Sequence, residues 1–241
     1  MPIGSAIPLW RKAAQTIRQW IVDGNYGPSE KLPTEAKMAQ LLGVHRHTVR
    51  RAIAQLNGEG LLSVEQGRGI FVQEWVINYR VSKRTRFSKN VAAEQRHPGG
   101  TLVAAREIKA EGAVMKALAL RKGTPVLVLD ILNEADGRPI SISSHHFPKA
   151  RVPGLFEAYR KTGSITKALA LSGIADYTRK STSVSARPAR SADAKQLQQS
   201  PNRPILLAES VNADMEGRPV LYSVSRWASD RVQLVFEPGN S

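Results

Sequence analysis

The sequence predicts an α+β chain of two domains: a small helical unit closed by a β-hairpin at residues 1–76, and a larger mixed α/β domain with a mainly antiparallel sheet at residues 91–241. Residues 77–90 join them as a basic linker that runs into the first strand of the second domain. Three observations carry this reading. Apolar residues recur at helical spacing through the first 60 or so positions, they alternate with polar ones afterwards, and one hairpin pattern occurs twice in the second half.

Length and composition bound the function. A chain of 241 residues with 41% hydrophobic and 23% charged residues can bury the cores of two modest domains. It carries 35 Lys+Arg against 20 Asp+Glu, a formal charge of +15, so nucleic acid is the first partner to consider. The excess is densest in "YRVSKRTRFSK", within residues 77–110, which hold 8 basic and 2 acidic residues. Zero cysteines exclude disulfides and thiolate metal sites. No apolar run of about 18 residues occurs and the N-terminus has no apolar core behind a basic start, so a cytoplasmic protein with no membrane partner is expected.

From Leu9 to Asp23, the residues Ile17, Trp20 and Ile21 form one stripe of a helix that "DGNYGP" ends. In "LPTEAKMAQLLG", Thr34 is suited to cap a second helix, Met38, Leu41 and Leu42 form its inward face, and Gly43 suits the tight turn after it. A third helix buries Val49, Ile53 and Leu56, which leaves Arg46, His47, Arg50 and Arg51 on other faces. No acidic residue lies between Ala39 and Gly58. A solvated helix would mix signs to gain from neighbours three and four apart, so this one is built for an anion.

A short helix, a glycine turn and a helix with a basic N-terminal end form the helix-turn-helix arrangement, whose second helix enters the DNA major groove. Guanidinium groups there donate to guanine acceptors or to phosphates. Next, "GLLSVEQGRGIFV" alternates, turns through Gln66-Gly67-Arg68-Gly69 and returns as a second strand. This hairpin is a wing. Its glycines let the backbone approach the sugar-phosphate chain, and Arg68 adds a phosphate donor.

In the second half, "AEGAVMKALALRKGTP" reads as a helix, "VLVLDIL" and "ISISSHHF" as strands about the turn "NEADGRP". "PVLVLDILNEADGRPI" from Pro125 and "PILLAESVNADMEGRPV" from Pro204 share P-x-L, an Asn eight residues on, and Gly-Arg-Pro. They are two similar hairpins of one sheet. Between them come helices at "LFEAYRKT" and "SITKALALS", the strand "YTRKSTSVSARP" and the helix "SADAKQLQQ", and "RVQLVFEP" closes the chain as a strand. Asp130 and Glu209 fall at equivalent places in otherwise apolar strands, so each needs a cation, a donor or a cavity. Along the returning strands Ser141, Ser143 and His145 share a face, as do Ser223 and Ser225, with Tyr222 and Arg226 on the other.

Through "PLW", "LPTEAKMAQLLGVHRHTVRRAIAQLNGEGLL" and "QGRGIFV" the sequence resembles the GntR family of bacterial transcription regulators. The resemblance implies DNA contact by Arg46, Thr48 and Arg50 in the recognition helix and by Gln66 and Gly67 in the wing. Thr34, His45, His47 and Arg68 complete the expected DNA-facing set. Ala36 departs from the family, standing where several relatives place a base-reading arginine, and His45 and His47 replace small hydroxyl residues.

"TRFSKN", "ADGRPISISSHHFP" and "RWASDRVQLVFEP" resemble the HutC-type branch, whose effector domain, called UTRA, is similar to the chorismate lyase fold. Within that branch the chain most resembles regulators of phosphonate utilisation, although many relatives carry basic residues where this one has "LDILN". The resemblance implies a homodimeric repressor, released from an inverted-repeat operator in double-stranded DNA by a small anionic effector, a phosphonate or a phosphate-bearing metabolite. It places "TRF" on the first strand of the effector domain. An amino-sugar phosphate or a histidine-pathway intermediate is the alternative effector.

In "RTRFS", Thr85, Arg86 and Ser88 offer a guanidinium flanked by hydroxyls, suited to a tetrahedral oxyanion. Ser141, Ser143, His145, Glu209, Tyr222 and Arg226 are the further effector candidates, with Glu209 meeting an amino group if the ligand carries one. No nucleophile beside a base, no metal set and no glycine-rich phosphate loop occurs at usable spacing, so an enzyme, a cofactor or a metal is not expected.

Overall fold

A computed structural model describes residues 7–73, 76–199 and 201–237. The chain divides into two compact units, Met1–Trp75 and Val76–Ser241.

The first unit begins with α1 (Leu9–Val22), α2 (Glu35–Leu42) and α3 (Arg46–Gly58). Ile17 and Ile21 of α1, Met38 of α2, and Val49, Ile53 and Leu56 of α3 meet in one core, as their spacing predicts. Thr34 Oγ1 accepts from the Lys37 amide at 3.3 Å, which starts α2. Gly43 ends it at φ +61°, with its own N–H on Gln40 O and that of Val44 on Ala39 O. Only a residue at ease with positive φ permits this double closure.

One expectation fails here. Leu41 is 55% exposed, and the inward face of α2 is Met38, Ala39 and the partly buried Leu42. At 100° per residue Leu41 stands off that arc on the side away from Ala39. The hairpin β1 (Leu62–Glu65) and β2 (Gly69–Val72) pairs antiparallel and closes the unit. Gly69 adopts φ +127°, a conformation that L side chains rarely take, so its backbone calls for glycine, while the nearby Lys31 side chain is flexible enough to move.

The second unit is organised by a six-stranded antiparallel sheet. Its strands are β4 (Pro98–Lys109), β5 (Pro125–Ala135), β6 (Arg138–Pro148), β7 (Thr178–Pro188), β8 (Pro204–Ala213) and β9 (Pro219–Ala228), in the order β4-β5-β6-β9-β8-β7. The two repeated hairpins are β5–β6 and β8–β9, and they meet where β6 pairs with β9. Ser143 lies opposite Ser225, Ser144 opposite Val224, and His145 opposite Ser223. Adding the extra residue of the second turn, Ser144 and Val224 are equivalent positions, so the repeats are related by a local two-fold through that pair.

A second, two-stranded sheet pairs β3 (Ile77–Arg80) with the final strand β10 (Val232–Val235) in parallel. This corrects the placing of "TRF" on the first strand. The first strand of this unit is β3, not Thr85–Phe87. Ser82 and Thr85 form a tight turn, the Ser82 N–H on Thr85 Oγ1 at 2.6 Å, and Arg86 precedes α4 (Phe87–Ala93). Neither α4 nor β4 is foreseen from the sequence. The segment after Ala110 is helical only over α5 (Gly112–Ala117). α6 (Leu155–Thr162), α7 (Ile165–Leu171) and α8 (Ser191–Gln196) stand where the sequence expects helices. One buried cluster packs Leu129, Phe147, Leu155, Tyr159 and Leu169 between the sheet and α6–α7. Pro238, the last residue of "RVQLVFEP", and residues 1–6 lie outside the described residues.

Candidate nucleic-acid interface and effector cavity

The first unit exposes one basic surface. His45, Arg46, His47 and Arg50 are all exposed at the start of α3, with Thr48 half-buried between them. Thr34 is exposed at the start of the neighbouring α2. The wing tip Gln66, Gly67 and Arg68 is exposed as well, Gly67 at φ +76°. Arg68 pairs with Glu65 and lies 5.7 Å from the Phe71 ring centre, which orders it at rest.

Two features of this surface escape sequence reasoning. Glu35, the first residue of α2, accepts from Arg50 through both oxygens: Nε to Oε1 at 3.2 Å and Nη2 to Oε2 at 2.9 Å. Arg46 Nη2 stands 3.9 Å from the same carboxylate. The Arg50 hydrogen bond, chiefly, holds the Glu35 carboxyl below its ordinary pKa. Glu35 lies eleven residues from Arg46 and fifteen from Arg50, so no local pattern announces the contact. Arg51 stacks 4.6 Å from the Trp10 ring centre on α1, which takes it off the recognition surface.

The second unit holds a cavity of about 550 Å³, within the range of small-molecule sites. One face of the sheet is its floor; α4, Tyr159 and the segment joining α6 to α7 wall it. Of the expected effector residues it collects Thr85, Arg86, Ser88, Ser143 and His145. Arg86 is anchored: Nη2 donates to Tyr177 O at 2.7 Å and to Asp176 at 3.2 Å, and the guanidinium lies 3.8 Å from the Tyr177 ring centre.

The floor is a row of neutral polar groups from both repeats. Asn133 Nδ2 donates to Ser143 Oγ at 3.0 Å, Ser143 and Ser225 hydroxyls meet at 2.8 Å, and His145 Nδ1 meets Ser223 Oγ at 2.8 Å. Asn133 and Asn212, the repeated Asn of the two hairpins, both line the cavity. Burial, with His146 and Arg179 nearby, pushes the His145 pKa down to about 3, so the ring is a neutral donor-acceptor at physiological pH. Burial likewise pushes the Tyr79 phenol up to about 12.

Four expected residues are placed elsewhere. Ser141 is fully buried beneath the floor, its Oγ accepting from Asn133 at 3.1 Å. Glu209, Tyr222 and Arg226 lie on the opposite face of the sheet, because β-strand side chains alternate and these positions are out of step with Ser223 and Ser225. There the Tyr222 hydroxyl donates to Glu209, and Arg226 donates to Ser144 Oγ at 3.1 Å and faces Asp193 at 3.5 Å. Asp130, equivalent to Glu209, pairs with Arg106 on that same face.

The sequence reading also missed Arg179, Tyr177 and Trp227 of the cavity. The repeated Asn could have pointed to the floor. Arg179 gave no signal, since "TRKSTSVS" reads as a strand open to solvent.

Comparison with known proteins agrees with this two-part construction. The gntR family of bacterial regulatory proteins matches residues 9–72, and the UTRA domain matches residues 93–233. The chain is 40% identical over 232 residues to an HTH-type transcriptional regulator of Rhizobium meliloti (strain 1021), covering 96% of this chain and 95% of that one. It is 30% identical over 228 residues to the transcriptional regulator PhnF of Escherichia coli (strain K12), covering 94% and 92%. The crystal structure of PhnF from Mycobacterium smegmatis superposes with a TM-score of 0.65 at 23% identity, over 93% of this chain and 97% of that one. These relatives are regulators rather than enzymes, and among the described residues no helix is long and apolar enough to cross a membrane. With a basic winged helix-turn-helix in one unit and a polar cavity in a UTRA sheet in the other, this chain belongs to the GntR family, as a DNA-binding transcription regulator with a small-molecule effector domain.

Proposed function

We propose that the protein is a homodimeric repressor that holds an inverted-repeat operator and releases it when a small anion, a phosphonate or a phosphate-bearing metabolite, enters the effector cavity. One observation carries the effector class: the cavity is lined by Arg86, Lys89, Lys167 and Arg179, and by no aspartate or glutamate among the described residues. A low-dielectric site with cations and hydrogen-bond donors selects anions with several oxygens. The similarity to PhnF over most of both chains supports a phosphonate operon as the target. Thr34, His45, Arg46, His47, Thr48, Arg50, Gln66, Gly67 and Arg68 form the DNA-facing set on this reading.

A single winged helix reads too few base pairs to be selective, so two copies on a two-fold operator supply the specificity. Release requires that the effector bind one dimer geometry more tightly than the other. Sedimentation at micromolar concentration and operator titration with and without phosphate or phosphonates test this together. A dimer whose operator affinity falls with added anion is expected. A monomer that binds the operator tightly, or an affinity indifferent to every anion, would overturn it.

A further inference from the structure

We infer that the effector joins a multi-oxygen anionic head, held between Arg179 and Arg86, to an uncharged hydroxyl-bearing remainder laid on the Asn133, Ser143, His145, Ser223 and Ser225 floor, and that compounds carrying an ammonium group are rejected. This rests on the effector reading above and specifies what the cavity reads.

Arg179 is the first argument. Its side chain lines the cavity, and it makes no ion pair or side-chain hydrogen bond with any described residue. Arg86, Arg151, Arg203, Arg226 and Arg231 are also covered, and each meets a carboxylate. A guanidinium held off water without an acid nearby is costly. Its pKa is lowered accordingly, first by burial and with a contribution from Arg86, while Tyr79 and Tyr177 oppose the shift. Arg86, by contrast, is fixed by Asp176 and the Tyr177 carbonyl, so it presents a prepared charge and Arg179 a free one.

The second argument is that three donors on residues lining this cavity are left without partners. Arg179 Nε, Thr182 Oγ1 and Trp227 Nε1 are buried with no hydrogen-bond partner in the protein, and all three residues line this cavity. Buried donors are nearly always satisfied in folded proteins, so unsatisfied donors on side chains that line one cavity favour an acceptor-rich occupant.

The third argument concerns what is missing for an amine. Every acceptor on the floor is a hydroxyl, an amide or a neutral imidazole. The carboxylates that could have met an ammonium, Glu209 and Asp130, are on the other face of the sheet and engaged by Tyr222 and Arg106. An ammonium group would lose hydration beside Arg86 and Arg179, where the nearest carboxylate, Asp176, is already taken by Arg84 and Arg86. A hydroxyl of the same size meets donors and acceptors alike.

The decisive comparison is a matched pair on the full-length protein by titration calorimetry at pH 7: 2-hydroxyethylphosphonate against 2-aminoethylphosphonate, with inorganic phosphate as the head alone. The hydroxy compound should bind at least tenfold tighter than its amino counterpart and tighter than phosphate. Arg179→Gln should weaken the hydroxy compound at least tenfold, and Arg179→Lys, which keeps the charge but not the planar fork, should fall between. Equal or tighter binding of the amino compound overturns the inference while leaving an anion-binding site in place. Undiminished affinity in Arg179→Gln also overturns it. Silence from wild type with every anion would overturn the effector reading itself, and this inference with it. The wild-type pair decides the matter even if a variant folds poorly.

Discussion

Replacing Glu35 by Gln should lower the operator selectivity of this protein without unfolding it. The Glu35–Arg50 fork is bidentate, but Arg50 is 58% and Glu35 25% exposed by side chain. Exposed pairs of this kind contribute only ~0.2–1 kcal/mol to folding, so the variant should unfold at a denaturant midpoint close to wild type. On DNA two effects diverge. Removing a negative charge from the recognition surface relieves repulsion from phosphates; for one charge at about 8 Å in a watery medium this is ~0.5 kcal/mol, roughly twofold tighter binding to any duplex and less at high salt.

Specific binding changes the other way. The fork fixes the Arg50 plane, and a bidentate guanidinium-to-base contact is worth ~1–3 kcal/mol of discrimination, so an unfixed Arg50 should forfeit about 1 kcal/mol of it. The electrostatic relief is common to both duplexes and cancels in their ratio, so the ratio of operator to random-duplex affinity should fall by about fivefold, the equivalent of the ~1 kcal/mol of lost discrimination. Fluorescence anisotropy with the operator and a scrambled duplex of equal length, at two salt concentrations, measures both arms. An unchanged ratio would refute the positioning role of Glu35. Equal loss on both duplexes would show that the substitution damages the fold instead.

Two further outcomes follow from the same structure. Arg46→Ala and Arg50→Ala should each weaken operator binding by about 1–3 kcal/mol, whereas Arg51→Ala, whose guanidinium rests on Trp10, should cost less; a titration in which Arg51→Ala is the most damaging would refute the orientation of α3. The effector unit should lose stability in acid. His145 has its folded pKa depressed from 6.5 to about 3, so the unfolded chain takes up the proton first, and stability present above pH 6.5 drains by up to ~1.4 kcal/mol per pH unit as pH falls from about 6.5 toward 3. The buried His146 is shifted in the same direction and adds to the slope. Urea denaturation of wild type and His145→Gln from pH 7.5 to pH 4.5 should show the steeper loss in wild type, and parallel slopes would remove His145 as its source.

Local chemistry made the DNA-binding half legible from the chain alone. Thr34 as cap, Gly43 as positive-φ terminator, the Val49, Ile53 and Leu56 stripe and the Gln66–Gly69 turn act over at most a few residues, and the structure places each as the spacing implies. The duplicated hairpins were legible for the same reason, because a repeat survives in the letters. The effector cavity was decided by the tertiary structure. Strand periodicity told that Ser223 and Tyr222 face opposite ways, but not which face α4, α6 and α7 would cover, so Glu209, Tyr222 and Arg226 could not be separated from Ser143 and His145 before the sheet was assembled. Arg179 meets Arg86 and His145 only because β7 folds onto the far edge of the sheet from β4. Glu35 and Arg50 touch only because α2 packs on α3. Contacts between residues distant in sequence leave no period in it, and the charge of a site is set by which of them the packing brings together.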